Sequence, residues 1–424
     1  MTVQASASSM RPAHHLRDTC RGCGSRDLSL FLPLGTMPLA NAFLHDETKF
    51  AHEAAYPLDV YFCHRCSLVQ LLDVIDPEVL FRDYVYVTGT SDTMAAHNQR
   101  YAETVARLLE LGPADLVAEA GSNDGSLLKC FQRDGVRTLG IEPASNIARL
   151  AQANGVETVN RFFDRACGRE MRSSYGPARA VIANNVLAHV DDTLGFLQGC
   201  RELVADDGLV IVEAPYLREL IDRLEYDTIY HEHLCYFSIT ALASLYRRAG
   251  LRIVRVDEVA VHGGSLRVYA APEEGADRYD AGEVTAYLAH EAREGLNEFA
   301  TFARFARDVE QHRRLLRDLL FDQVRAGHTL AGYGAPAKGN TLLNYCAIGP
   351  DLLPYTVDKN PLKVGLFTPG THIPVLPVAA LDERQPHDVL ILAWNFAEEI
   401  MRQQAAHSQR GGRFIIPLPK PEVI

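Results

Sequence analysis

Residues 225 to 238 read EYDTIYHEHLCYFS, and Tyr230, His231, Glu232 and His233 stand in them side by side. Imidazole titrates near neutral pH. The run is therefore suited to drawing a proton from a carbon beside a carbonyl, to binding a metal, or to bonding its own backbone. The metal reading is the weakest of these, because the two His are two residues apart and no third ligand is in evidence. Cys235 reads as a small buried apolar side chain, since nothing nearby implies a covalent intermediate.

Cys20-Arg21-Gly22-Cys23 and Cys63-His64-Arg65-Cys66 are two CxxC pairs. Each fits a tight turn that aims two thiolates at one ion, and four thiolates close a tetrahedral shell with no open position, as in a structural zinc site. His64 is expected to be exposed rather than coordinating. The intervening LPLGTMPLANAFL and YPLDVYFC read as short strands and turns with too little apolar material to fold unaided. Metal binding is therefore expected to supply much of this module's folding energy. The count of nine Cys is odd, and the first residues lack a signal peptide's apolar run. Both features suit reduced thiols and a cytoplasmic protein.

The elements that must position these groups follow one plan used twice. DLVAEAGSNDGSLLKCF reads as a buried strand over 116–120, a Gly-bounded turn from Gly121 to Gly125, and a helix from about Ser126. RTLGIEPASNIARLA then gives a strand ending at Glu142, an acid placed to accept from ribose hydroxyls. The turn also carries Glu119 and Asp124, which would repel a pyrophosphate. S-adenosylmethionine (SAM), a sulfonium and ammonium without phosphate, suits it better than NAD. Residues placed to hold it are Glu119, Gly121, Asn123, Asp124, Gly125, Glu142 and Pro143, with Asn184 from the next strand; Phe163 has two places open to it, against the adenine or in the core.

ARAVIANNVLAHVDD brings Asn184, Asn185 and His189 to the carboxyl edge of the sheet, where ligands bind in open α/β folds. DGLVIVEAPYL is a further strand, and chain order brings the 225–238 stretch to the same edge. LRIVRVDEVAVHGGSLRVYAA reads as a closing hairpin. Asn-Pro-Pro-Tyr is absent, which counts against methylation of a base nitrogen.

Residues 282 to 325 have helical periodicity and are expected to link two domains. Beyond them HTLAGYGAPAKGNTLLNYC repeats the strand, Gly-rich turn and helix, LPYTVD ends a second strand at Asp358, and HDVLILAWNF is a third. This turn has no acid and carries Lys338, in a chain with only six Lys, which suits a phosphate; a helix-packing turn with Lys338 in solvent is the other reading.

A chain of 424 residues exceeds one ordinary core. The expected division is a disordered tail over 1–16, a zinc-binding module over 17–75, a methyltransferase domain over 76–300 and a second Rossmann-like domain over 301–424. Apolar content of 47% and charged content of 23% are globular values. A net charge of −12 without a basic run disfavours nucleic acid, and no stretch is long and apolar enough to span a membrane. No oligomeric state is legible, and a monomer fits the sequence.

The order of GSNDG, GIEPASN, ANNVLAHV, YDTIYHEH, HGGSLRVY, GYGAPAKGNTLLNYC and PGTHIPV, after the two CxxC pairs, resembles the SAM-dependent sugar C-methyltransferases of deoxysugar biosynthesis, such as those for tetronitrose and mycarose. The resemblance implies an α/β chain: an N-terminal zinc-binding module, a central Rossmann-like class I methyltransferase domain and a C-terminal second Rossmann-like domain. It also implies a nucleotide-linked 4-keto-6-deoxysugar, TDP first among its carriers, methylated at C-3. Chemistry falls on His233 as base, Glu232 to orient it, and Tyr230 or His189 to donate to the C-4 oxygen. Tyr86, Asn185 and Lys338 are expected on the substrate. Two other readings stay open: a methyltransferase of the same fold acting on another ketone or a hydroxyl, and a non-catalytic sugar-nucleotide binding protein.

Overall fold

The computed structural model describes residues 14–81, 92–259 and 264–424. Tyr86, expected beside the substrate, lies outside the described residues.

The N-terminal module is an antiparallel sheet of Leu28–Pro38, Ala55–Cys63 and Val69–Leu71. A fourth strand, Cys235–Tyr236, comes from the stretch that holds the His-Glu-His run and pairs with Gln70 and Val69. The sheet is thus built by two parts of the chain far apart in sequence. His14–Leu16, assigned above to a disordered tail, pairs with Asp73–Ile75. The His14 ring donates to Asp73 at 2.7 Å, a partner that composition could not reveal.

The central sheet runs Leu251–Val259, Ser265–Pro272, Val204–Pro215, Ala178–Asn184, Leu116–Ala120, Arg137–Ile141, Thr158–Val159. The last five are parallel, and the first two are antiparallel to their neighbours, the hairpin expected from sequence. Leu116–Ala120 is buried along its whole length, which is why its apolar residues do not alternate with polar ones; Glu119 is its one polar side chain. Chain order reverses on either side of this strand, and in open α/β sheets ligands bind beyond the carboxyl end of a strand so placed.

The second sheet runs Val375–Pro377, Thr356–Asp358, Leu330–Tyr333, Asp388–Ile391, Arg413–Ile416, Glu422–Val423, all parallel except the last. The same reversal occurs between Leu330–Tyr333 and its two neighbours.

Phe299–Arg325 is the longest helix of the described chain. It buries Phe302, Phe305, Val309, Leu316 and Leu320, a stripe at three- and four-residue spacing. That stripe packs in one core with Leu32, Leu58 and Phe62 of the N-terminal module and Leu342 and Leu390 of the C-terminal sheet. Each large apolar side chain so buried is worth about 1.5–3 kcal/mol. The helix, expected to join two domains, therefore packs against the zinc module as well.

Candidate active site

Cys20, Cys23, Cys63 and Cys66 bring their sulfurs within 4.8 Å of one another, the nearest pairs 3.5 Å apart. Four sulfurs at about 2.3 Å from one zinc lie about 3.8 Å apart, so the cage fits that ion. Gln70 supports it from the next strand, its side-chain amide donating to Cys20 Sγ at 3.1 Å. Crowded thiols cannot all ionise without a cation. Hydrogen bonds from Cys63 and Cys66 hold Cys20 far below the thiol range, and bonds to Cys20 push Cys63 up to about 12. His64 is exposed as expected and bonds Ser29.

The first Gly-rich turn needs its glycines. Gly121 and Gly125 have φ of 69° and 77°, and a Cβ would come 2.4 Å from Val186 and 2.6 Å from Val156. Glu119 is buried, its Oε2 without a hydrogen-bond partner among the described residues. Burial first, and then Asp124 and Glu142, push its carboxyl well above the usual carboxylate range. Glu142 accepts from the backbone N–H of Asn123 at 3.0 Å and of Ala144 at 2.8 Å, which locks the second strand's end to the turn, and Pro143 lies between those anchors. Asn184 Oδ1 is also buried and unpartnered among the described residues. Buried acids with unfilled acceptor capacity call for a ligand bearing positive charge and donors. The sulfonium, ammonium and ribose hydroxyls of SAM meet that need, and a diphosphate does not.

Of the two places open to it, Phe163 takes the core. It packs edge-on against Phe196, ring centroids 5.1 Å apart, inside the central core rather than over an adenine. The neighbouring Phe162 is 40% exposed, in the segment where the Arg161 N–H meets the Glu142 carbonyl. Two adjacent phenylalanines thus face opposite ways.

At the same edge the catalytic candidates converge. Asn185, at φ 54°, donates its N–H to the Glu213 carbonyl, and the chain then turns into Leu187–His189. The N–H of Leu234 donates to the Ala188 carbonyl at 2.7 Å, which ties this turn to the His-Glu-His loop. The His189 and His233 rings meet edge to face with centroids 4.8 Å apart. Burial, and then His233, push His189 down to about 3, so it stays neutral at working pH. A neutral imidazole there is suited to hydrogen bonding and unsuited to taking a proton.

His233 is held differently. Its Nδ1 lies 2.9 Å from the Thr228 carbonyl, which can only accept, so Nδ1 carries a proton. Nε2 is then the basic atom, and the Tyr230 hydroxyl lies 3.0 Å from it. This is the tautomer that a general base requires.

Glu232 was expected to orient this ring and does not: its Oε1 accepts from the Asn41 side chain at 2.7 Å, and Thr228 does the orienting. His231, given no role in sequence, is buried and donates from Nε2 toward the Tyr56 and Pro57 carbonyls. Both bonds run to the N-terminal module. With the Cys235–Tyr236 strand they dock the loop onto the zinc-bearing sheet. Nothing local in the sequence marks Asn41 or Thr228.

Lys338 is half-buried rather than solvated. Its ammonium sits 4.0 Å from the centre of the Trp394 ring, next to Asp227 and Glu225, and burial lowers its pKa. Burial pushes Asp227 up to about 6 and Glu225 up to about 7, while Lys338 pulls both down. A diphosphate brought to Lys338 would meet two acids at the same place. The ammonium serves the contact between the second turn and residues 225–227. A lysine that sequence reading passed over, Lys363, donates to the Ala335 carbonyl of that turn at 2.8 Å.

Three family models match: a zinc binding domain over residues 20–81, a methyltransferase domain over 94–256 and a C-methyltransferase C-terminal domain over 260–419. The C-methyltransferase NovU of Streptomyces niveus is 40% identical over 407 residues, 96% of this chain and 97% of its own. Solved structures give partial likenesses. Magnesium protoporphyrin IX methyltransferase of Synechocystis PCC 6803 aligns at 19% identity and TM-score 0.34 over 44% of this chain and 89% of its own. The CcbJ methyltransferase of Streptomyces caelestis aligns at 16% and 0.32 over 41% and 89%. Scores so low carry nothing about chemistry.

Proposed function

The chain belongs to the family of SAM-dependent C-methyltransferases, and from that premise we propose that it methylates C-3 of a nucleotide-linked 4-keto-6-deoxysugar after His233 removes the proton beside the ketone. TDP is the first carrier to try. The protein uses SAM and a zinc ion held by the four cysteines. No described helix is long and apolar enough to cross a membrane.

The observation that carries the proposal is the fixed tautomer of His233. A carbon next to a ketone attacks only as its enolate, so the enzyme needs a base near neutral pKa and a donor for the developing oxyanion. With Nδ1–H committed to Thr228, Nε2 takes the proton. Tyr230 at rest donates its one O–H to that nitrogen and would turn it to the C-4 oxygen once substrate displaces the bond; His189, neutral and facing His233, is the alternative donor. Asn185 lines the sugar side of the crevice from the strand end. Glu232 holds the loop on Asn41 rather than the base itself. Glu119, Asp124 and Glu142 would hold SAM, which would supply the methyl group. The crevice supplies alignment and exclusion of water.

The second reading, a different ketone or a hydroxyl as acceptor, shares every residue up to the base. Incubation with SAM and TDP-, GDP- and CDP-linked 4-keto sugars, read by mass spectrometry, separates the two. We expect one added methyl on a nucleotide-linked ketosugar, located at C-3 by NMR. Equal methylation of a ketone lacking the nucleotide would defeat the substrate assignment.

A further inference from the structure

Tyr226–Thr228 is a single three-residue turn of 3-10 helix just ahead of the His-Glu-His run. A turn so short has little stability of its own. It is gripped from the C-terminal domain, through two hydrogen bonds above all. The Trp394 indole N–H donates to Asp227 Oδ2 at 2.7 Å. The His312 ring lies 2.6 Å from the Pro417 carbonyl through Nε2, so that nitrogen carries the proton and Nδ1 accepts from the Tyr226 hydroxyl at 3.0 Å. Trp394 itself follows the strand Asp388–Ile391 at the carboxyl edge of the second sheet, with Lys338 over its ring.

The third residue of the turn is Thr228, whose carbonyl fixes His233 Nδ1–H. From the second Rossmann-like domain to the base the path is therefore short: indole N–H, Asp227 carboxylate, one peptide unit, Thr228 carbonyl, imidazole. We propose that Trp394 and Asp227 are positioning residues, through which the C-terminal domain sets the orientation and tautomer of His233. The inference rests on reading His233 as the base. Neither residue touches the reacting atoms; both act through the Thr228 carbonyl. Misplacing a reacting group by about 1 Å costs about 100-fold in rate, so a loosened turn acts on turnover before binding.

The test is a set of steady-state measurements on the full chain with SAM and the nucleotide ketosugar, alongside calorimetric Kd for SAM and thermal midpoints. Trp394→Phe keeps an aromatic ring under Lys338 and loses the N–H. We expect kcat, measured well below the thermal midpoint, to fall about 10- to 100-fold with KM and SAM affinity unchanged, whatever the midpoint loses with a buried bond. Asp227→Ala should match it. Asp227→Asn, which still offers an acceptor oxygen to the indole, should restore most of the rate. The double variant Trp394→Phe, Asp227→Ala should be no slower than the slower single one, because both break one link. Trp394 is the only tryptophan in the chain, so the emission of Asp227→Ala reports directly that the link is lost.

Wild-type kcat in either Trp394→Phe or Asp227→Ala would overturn the proposal. So would a rate loss that tracks a lowered midpoint or weakened sugar binding and is not restored by Asp227→Asn. Should Trp394→Phe fail to fold, Asp227→Ala and Asp227→Asn decide the matter alone. His233→Asn, run in parallel, separates the two layers. Near-normal turnover there sinks the assignment of the base, whereas an impaired His233→Asn beside a fully active Trp394→Phe sinks only the positioning role.

Discussion

Replacing Glu119 by Gln probes the charge logic of the first Gly-rich turn. The carboxyl is 5% exposed, and its Oε2 lacks a partner among the described residues. Burial, then Asp124 and Glu142, raise its pKa well above the usual range. A carboxyl raised on folding favours the folded state fully below its unfolded pKa, about 4.3, and that contribution is lost as pH climbs toward the folded value. Gln has no such charge to bury. Without SAM, the Glu119→Gln protein should therefore be at least as stable as wild type at neutral pH, with the difference shrinking as pH falls toward 4. With SAM the order reverses. Losing one charge-assisted contact costs about 1.5–3 kcal/mol, or about 10- to 150-fold in Kd. Calorimetry in two buffers of different ionisation heat adds a second readout: wild type should release protons on binding SAM, and the variant should release fewer. Unchanged SAM affinity with unchanged proton release would refute the claim that Glu119 is the cofactor's counter-charge.

Glu142→Ala should weaken SAM binding by about 1–3 kcal/mol, because it removes both an acceptor and the bonds that lock Asn123 and Ala144; titration calorimetry measures it. Cys63→Ser should release the zinc, seen by metal analysis, and unfold the N-terminal sheet. Since the Cys235–Tyr236 strand pairs with that sheet, turnover should fall while SAM binding persists. Tyr230→Phe should slow methylation by less than His233→Asn does if the hydroxyl only assists the oxyanion; parallel kcat values for the two variants test that order.

Chemistry written in short local patterns was legible. Both CxxC pairs, the acidic first turn and the parallel strand of 116–120 depend on near neighbours, and spacing alone reveals them. What escaped was set by contacts between distant parts of the chain. Asn41 meets Glu232, and His231 meets the Tyr56 and Pro57 carbonyls, across gaps that no periodicity spans. Lys338 was read as if its turn stood alone, yet residues 225–227 of another domain supply its electrostatic surroundings. Phe163 and Phe162 differ only in which side of the chain faces the core, a choice made by the packing of Phe196. The orientation of His233 belongs to the same class. Its residue type was readable, whereas the carbonyl that fixes its tautomer was not.

Proton removal at the carbon to be methylated is best followed by NMR in heavy water, with the nucleotide ketosugar and S-adenosylhomocysteine, which binds in place of SAM but has no methyl to give. His233 is half-buried, so a proton taken by Nε2 has a route to solvent. Wild-type protein should exchange deuterium into C-3. His233→Asn should bind both ligands yet lose exchange and methylation by about 100- to 10,000-fold, the range for a sole general base. Near-normal exchange by His233→Asn would contradict the assignment of the base outright.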